Sequence, residues 1–269
     1  MIRKPAVGGI FYPSEKKELS ALVDSYLKKA KKFSNLKTVK ILIVPHAGLQ
    51  FSGQTAAWGY KQLNKSYQRI ILLGASHSAE FFGAAIWNQG SWETPLGLVK
   101  VDDNFAKGLI NPNFQAHISE HSLEVQLPFL QRILSNFKIV PILLGQTNDF
   151  FIKDFSKTLM MNIDSNDLLL VSSDLSHYPN YKTAFKVDNE TINSILTGDV
   201  ELFRKSLQKN TGKNGVQTCA CGARAIEVAM HIATLKKIKK ISKLDYSNSG
   251  DAGADKKRVV GYTAICFCE

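Results

Sequence analysis

The sequence has no long apolar run. No stretch of its 269 residues approaches the roughly 18 to 20 consecutive apolar residues that a membrane-spanning helix needs, which excludes a helical membrane protein. It has little arginine: six of the 34 basic residues, the rest being Lys in short clusters such as Lys28-Lys29, Lys31-Lys32 and Lys236-Lys237. A net charge of +11 by itself suggests a nucleic-acid partner. No basic segment is interleaved with aromatics, however, and no recognition motif is present. We therefore read the lysines as a solvated surface and expect no nucleic-acid groove. Cysteine is scarce as well, with four residues in two Cys-x-Cys pairs, Cys219/Cys221 and Cys266/Cys268. That spacing is not the C-x2-C…C-x2-C of a structural zinc site. Met1-Ile2-Arg3-Lys4-Pro5 has no apolar run behind its charges and does not read as a secretory signal. We accordingly expect a cytoplasmic protein without a disulfide framework. A hydrophobic content of 44% with no low-complexity run excludes a disordered chain.

What the chain does have is an alternation of two patterns. Short β-branched runs at 39–44 (VKILIV), 69–74 (RIILLG), 138–144 (KIVPILL), 167–172 (DLLLVS) and 258–267 (RVVGYTAICF) read as buried strands. Helical periodicity appears at about 14–32, 53–63, 122–134, 149–162, 184–196 and 221–236, the last with Ala225, Ile226, Ala229, Ile232 and Ala233 on one face. Strands alternating with helices predict an α/β fold with a largely parallel central sheet and helices on both faces. No linker or repeat divides the chain, so residues 1–269 are expected to form a single domain.

The polar residues fall where such a fold would gather them. Pro45-His46-Ala47-Gly48 follows the first run, Ala75-Ser76-His77-Ser78 the second, and Ser173-Asp174-Leu175-Ser176-His177 the fourth. A lone histidine after a strand is ordinarily a hydrogen-bonded loop residue. Three in the same topological position point to one shared site at the carboxyl edge of the sheet, where open α/β folds bind ligands, and imidazole is the commonest protein metal ligand. Cys221, at the expected start of the 221–236 helix, is a candidate third ligand, because a helix N-terminus stabilises a thiolate. Cys219 is the alternative, though Cys-Gly at the helix entry suits Cys221 better. Cys266 and Cys268 share one face of the last strand and read as core. Asp174 could ligate, orient an imidazole or cap a turn. In Glu120-His121-Ser122, Ser122 reads as a helix N-cap and His121 as a residue that could face the site; His117 and His231 lack such context.

Several short motifs, in order, resemble the Memo family, whose prokaryotic members are labelled AmmeMemoRadiSam system protein B. They are Arg3-Lys4-Pro5-Ala6-Val7-Gly8-Gly9-Ile10-Phe11-Tyr12-Pro13, Leu42-Ile43-Val44-Pro45-His46-Ala47-Gly48, Leu72-Leu73-Gly74-Ala75-Ser76-His77, Glu120-His121-Ser122-Leu123-Glu124, Val171-Ser172-Ser173-Asp174-Leu175-Ser176-His177, Cys221-Gly222, and Ser249-Gly250-Asp251 with Val260-Gly261-Tyr262. The resemblance runs from residue 3 to about 266. It implies a fold related to the class III extradiol dioxygenases and a metal pocket whose ligand positions match His46, His77 and Cys221, with Asp174 and His177 beside it. In those dioxygenases the third ligand is a carboxylate and a histidine acts as acid/base; the matching positions here are Cys221 and His177. Two positions depart from the family pattern. Ser78 stands where members often carry a second histidine, and Ala223-Arg224-Ala225 stands where an aromatic or basic residue and then a proline often follow Cys-Gly.

Two imidazoles and a thiolate make a borderline-soft site with open positions, suited to one transition metal ion, with Fe(II) or Cu favoured over Zn. The expected function is a metal-dependent redox enzyme acting on a small organic substrate or O₂. His177 and Asp174 are its catalytic candidates, His177 moving protons and Asp174 holding the tautomer, and Glu120, His121, Ser78 and Arg224 surround the pocket. Zinc would instead imply hydrolysis. A non-catalytic module binding a ligand or short peptide in the same pocket is the rival from another class. The resemblance also implies functional association with a radical-SAM protein.

Overall fold

Val39–Val44 has an apolar residue at every position but Lys40, so a strand made from it has no face to give to water and must lie between two layers. Such a strand lies at the centre of the computed structural model, which describes residues 1–63, 67–105 and 111–269. In chain order the elements are β1 (Ile2–Arg3), α1 (Lys16–Lys29), β2 (Val39–Val44), α2 (Leu49–Tyr60), β3 (Arg69–Ala75), β4 (Ala84–Ile86), β5 (Ser91–Thr94), β6 (Gly97–Lys100), α3 (Phe114–Ile118), α4 (Leu127–Ile133), β7 (Lys138–Leu144), α5 (Asp149–Met161), β8 (Asp167–Ser172), α6 (Tyr181–Leu196), α7 (Val200–Asn210), α8 (Ala223–Leu235), β9 (Lys240–Asn248) and β10 (Gly261–Cys268).

Seven strands form one sheet in the order β4-β7-β3-β8-β2-β10-β9, and β1, β5 and β6 form a second, small sheet. The four strands β7, β3, β8 and β2 are mutually parallel, and both flanks are antiparallel. Alternation along the central strands divides the core. Leu42, Val44, Leu72 and Leu170 point into one apolar cluster with Leu19, Val23 and Ala57 of α1 and α2. Ile41, Ile43, Leu73 and Val171 point into the other with Ile152 of α5 and Ile226 and Ala229 of α8. Val44 and Gly74 both register with Ser172, so the carboxyl ends of β2, β8 and β3 stand level and side by side.

The expected α/β layering is present, with its parallel part confined to the centre. Strand β9 escapes a sequence reading because its run, KISKLDYSN, carries two lysines and buries only Leu244 and Asn248. The expected helix at 122–134 begins later. A 3-10 turn at Glu124–Gln126 leads into α4, whose first turn holds Pro128, a residue without an N–H that suits a helix start. Ser122 is therefore not an N-cap; its hydroxyl donates to the Ala75 carbonyl at 3.2 Å. Among the described residues no helix is long and apolar enough to cross a membrane.

Residues 3–12 are fastened across the molecule. The buried Arg3 guanidinium donates to Glu124 at 2.5 Å and to the carbonyls of His117 and Glu120, and it lies 4.2 Å over the Trp92 ring. Glu124 also accepts the N–H groups of Ala6 and Val7 and the Tyr12 hydroxyl. Removing one partner of a buried ion pair leaves the other uncompensated, at about 3–5 kcal/mol. Arg3→Met should lower unfolding free energy by about that amount in urea denaturation, and adding Glu124→Gln should recover part of it. Equal stability of Arg3→Met and the parent would refute this account.

Candidate metal centre

The level ends of β2, β3 and β8 bring the loops after them together, and the entry to α8 packs onto the same edge. His46 is 2% exposed, and its Nδ1 lies 2.8 Å from Ser172 Oγ. That hydroxyl donates its single proton to the Ser122 carbonyl at 2.6 Å and accepts from Gln126 Nε2 at 2.8 Å. Gln126 cannot be turned the other way, because its Nε2 also faces the Pro45 carbonyl and its Oε1 takes the Tyr60 hydroxyl. Ser172 thus has only lone pairs to offer His46, so Nδ1 carries the proton. Nε2 is left facing Cys221 Sγ, 3.4 Å away, and the thiolate raises the His46 pKa against the effect of burial.

His77 is held by Glu120, which is wholly buried. One carboxylate oxygen accepts the His77 and Ser78 N–H groups; the other accepts those of His121 and Ser122 and lies 3.1 Å from His77 Nδ1. Burial works against the Glu120 charge, but the bond and charge of His77 and these N–H groups hold it ionised far below the usual carboxylate range. His77, opposed by burial but supported by its bonds to Cys221 and Glu120, is pushed up to about 10. His121 completes the wall. Its ring lies 4.9 Å from that of His77, 5.4 Å from His46 and 5.0 Å from Phe11. Burial, then the neighbouring His46 charge, lower it to about 4, so it stays neutral.

Cys221 lies just before α8, with Gly222 as the N-cap, so it stands outside the helix that was expected to include it. Its sulfur accepts the Asp174 N–H at 3.2 Å. Burial alone would raise its pKa, yet the His46 charge and the imidazoles of His177, His46 and His77 bring it well below the ordinary thiol value. Gly222 is needed for space: a Cβ there would come within 2.8 Å of the Ser172 carbonyl and 2.7 Å of Ser173 Cβ. Cys219 is buried in a separate small cluster with Val187 and Val216 and takes the Thr211 hydroxyl. Cys266 and Cys268 lie in the core.

Asp174 belongs to His46. Its Oδ1 accepts the His46 N–H at 2.7 Å and the Ala47 N–H at 3.3 Å, and it makes no hydrogen bond to the His177 ring. The expectation that Asp174 holds the His177 tautomer is corrected accordingly: the carboxylate shapes the loop that presents His46. His177 Nε2 is buried and has no hydrogen-bond partner among the described residues. Arg224 bonds to Asp149 at 2.8 Å and Glu227 at 2.9 Å. With Cys221, Ser76, Glu80 and Gln146 it lines a cavity of about 340 Å³. Ser78 faces Glu120. His117 lies apart, its Nε2 near the Ala85 carbonyl and its pKa lowered to about 3 by burial. Ser172 and Gln126 escaped the sequence reading; the available signal was a glutamine within the otherwise apolar run VQLPFL.

Donor atoms of His46, His77 and Cys221 lie within 4.8 Å of one another, as do those of His77, Glu120 and His121. The first set fits an ion. Ligands at about 2.0 and 2.3 Å from a tetrahedral centre stand roughly 3.5 Å apart, close to the His46–Cys221 separation of 3.4 Å. In the second set Glu120 is already committed to backbone and imidazole donors, the usual condition of a carboxylate that orients a ligating histidine.

The family model described as Memo-like protein matches residues 3–266. A MEMO1 family protein of Thermoplasma volcanium is 38% identical over 277 residues, covering 100% of this chain and 99% of its own length. Those of Aquifex aeolicus and Thermoplasma acidophilum are 37% and 36% identical, each over at least 98% of both chains.

Behind the His177 loop, the buried Asp188 accepts the Ser176 N–H and the Tyr246 hydroxyl, each at 2.9 Å, and burial raises its pKa to about 6. Unfolded, an aspartate titrates near 3.9. Below about pH 4 the carboxyl is neutral in both states; as pH rises through about 6 the fold must carry a buried charge, and stability is lost. Measured by urea unfolding, Asp188→Asn should gain on the parent by about 2–3 kcal/mol between pH 4 and 7. A difference independent of pH would contradict this assignment.

Proposed function

The chain belongs to the Memo family, and we propose that it is a non-haem, metal-dependent redox enzyme acting on a small organic substrate or O₂. Its metal ion is held by His46, His77 and Cys221. One observation carries the reading: both imidazoles have Nδ1 engaged, by Ser172 and by Glu120, and Nε2 of His46 is turned toward a thiolate. Histidine ligands are typically fixed in this way through their second nitrogen. An iron or copper ion bound there would supply one-electron chemistry and an open position for substrate.

The remaining work falls to the protein. Glu120 and Asp174 fix the two ligand loops through their backbone N–H groups. Neutral His121 and the Phe11 ring against it wall the site. His177 Nε2, buried and without a hydrogen-bond partner among the described residues, is the atom we assign to giving or taking a proton at the substrate. Arg224 and Ser76 line the adjoining cavity as the approach for a small molecule. The thiolate replaces the carboxylate of the extradiol enzymes, so the reaction proposed is redox chemistry in general rather than ring opening.

Elemental analysis of protein purified without oxygen tests this. The parent should carry about one Fe or Cu, and His46→Ala and Cys221→Ala should lose it. Zinc would turn the assignment to hydrolysis, and no metal even after reconstitution would leave a binding module. Glu120→Gln, which keeps the shape but removes the charge, should weaken metal affinity about 10–100-fold; unchanged affinity would show that Glu120 does not orient His77.

A further inference from the structure

The geometry points to a substrate-recognition subsite formed by Tyr178 and Arg258, which takes the acid group of an organic oxyanion, a carboxylate or a phosphate, beside the metal centre. The inference rests on the proposed metal site for its role and on separate residues for its chemistry.

Residues 175–179 are held as a short ladder from both sides. On one side Leu175 and Tyr178 donate to the carbonyls of Gly261 and Val259, while Gly261 and Val259 donate to those of Ser176 and Pro179. On the other, His177 N–H donates to the Thr218 carbonyl, and the Gln217 N–H to that of His177. In an extended strand adjacent side chains point to opposite faces. Tyr178 departs from this. Its φ is +73°, a left-handed conformation that residues with a Cβ rarely adopt, and its ring centroid lies 5.5 Å from that of His177. Strain of this kind persists where surrounding structure enforces it and clusters at functional sites; here the ladder enforces it.

Tyr178 is nonetheless 39% exposed, so the twist does not serve the core. Arg258 stacks on the tyrosine, the guanidinium carbon lying 4.0 Å from the ring centroid. That guanidinium is exposed and makes no ion pair or side-chain hydrogen bond among the described residues. Five planar donors are thus pre-positioned on an aromatic ring and left for a ligand, the arrangement that suits carboxylate and phosphate. Lys256 and Lys257 precede it, Lys256 over the Tyr181 ring at 5.1 Å. Of the nearby acids, Asp251 is bound by the Tyr181 hydroxyl and the Asn248 N–H, and Asp255, whose carbonyl takes the Arg258 N–H, has its carboxylate on the Lys257 N–H. Arg258 lies on the Tyr178 ring and that ring beside His177, whose loop also carries Asp174, the residue that meets the Cys221 sulfur, so an anion anchored at Arg258 lies on the side of the proposed centre that His177 lines.

Benzoate, phenyl phosphate and the neutral benzyl alcohol are titrated calorimetrically into the purified protein, with metal content measured in parallel. At least one anion should bind at least tenfold more tightly than the alcohol and weaken with added salt; which of the two binds tells carboxylate from phosphate. Arg258→Ala should lose at least tenfold in anion affinity with metal content unchanged, and Arg258→Lys should recover part of it. Equal binding of the neutral probe, anion affinity unaffected by Arg258→Ala, or no anion binding would each overturn the subsite. Arg258-dependent anion binding in a protein that takes up no metal would sink the metal reading and leave the anion site standing. Metal uptake with anion binding indifferent to Arg258 would do the reverse.

Discussion

A single buried carboxylate, that of Glu120, holds the geometry of this protein's functional edge. Taking such a charge out of water costs several kcal/mol even after relaxation. Among the described residues no lysine or arginine side chain bonds to this carboxylate; Arg3 reaches only the main-chain carbonyl of Glu120. The charge is instead met by four backbone N–H groups, the Ser78 hydroxyl and the imidazoles of His77 and, at 3.4 Å, His121. Because those donors come from two segments, 77–78 and 121–122, satisfying the carboxylate is the same event as docking the loop after β3 onto the segment before α4. The ring of His77 is oriented as a by-product.

The two histidines of the centre are held by different kinds of partner. His77 leans on a full negative charge, whereas His46 leans on a hydroxyl whose role is dictated through Gln126, Pro45 and Tyr60. A carboxylate partner raises the basicity of a ligating imidazole more than a neutral one does, so the two nitrogens offered beside Cys221 are unequal donors. The third donor has no helix of its own to stabilise it. Its sulfur is met by the Asp174 N–H, and the side chain of that same aspartate fixes the backbone of His46. Asp174 therefore couples two of the candidate ligands from opposite ends of one residue.

Much of this was legible in the chain. Apolar runs with no polar face, such as VKILIV and IILLG, announced strands covered on both sides, and the histidines just past them could only gather at one edge once those strands ran parallel. Cys221 stood out because Cys-Gly precedes an alternation of alanine and isoleucine. The features that escaped depend on long-range partners. Asp174 is three residues from His177 in sequence but bonds to His46, 128 positions away. Gln126 looks like one polar residue on an apolar stretch, and only the folded packing places its amide between Pro45 and Ser172. Nothing local marks Tyr178 either, since its left-handed backbone lies between the segments around Val259 and Thr218, both remote in sequence.

The fastening of residues 3–12 bears on the order in which this molecule can assemble. Arg3 and Glu124 are separated by 121 positions, and closing so long a stretch of chain costs entropy before any contact repays it. The segment it closes on, 117–124, is the one that carries Glu120. Until that closure is made, the carboxylate lacks a settled backbone to aim from, and His77 lacks its partner. The arrangement at this edge is thus tied to the return of the first residues of the chain, across 121 positions of sequence, as well as to the sheet beneath it.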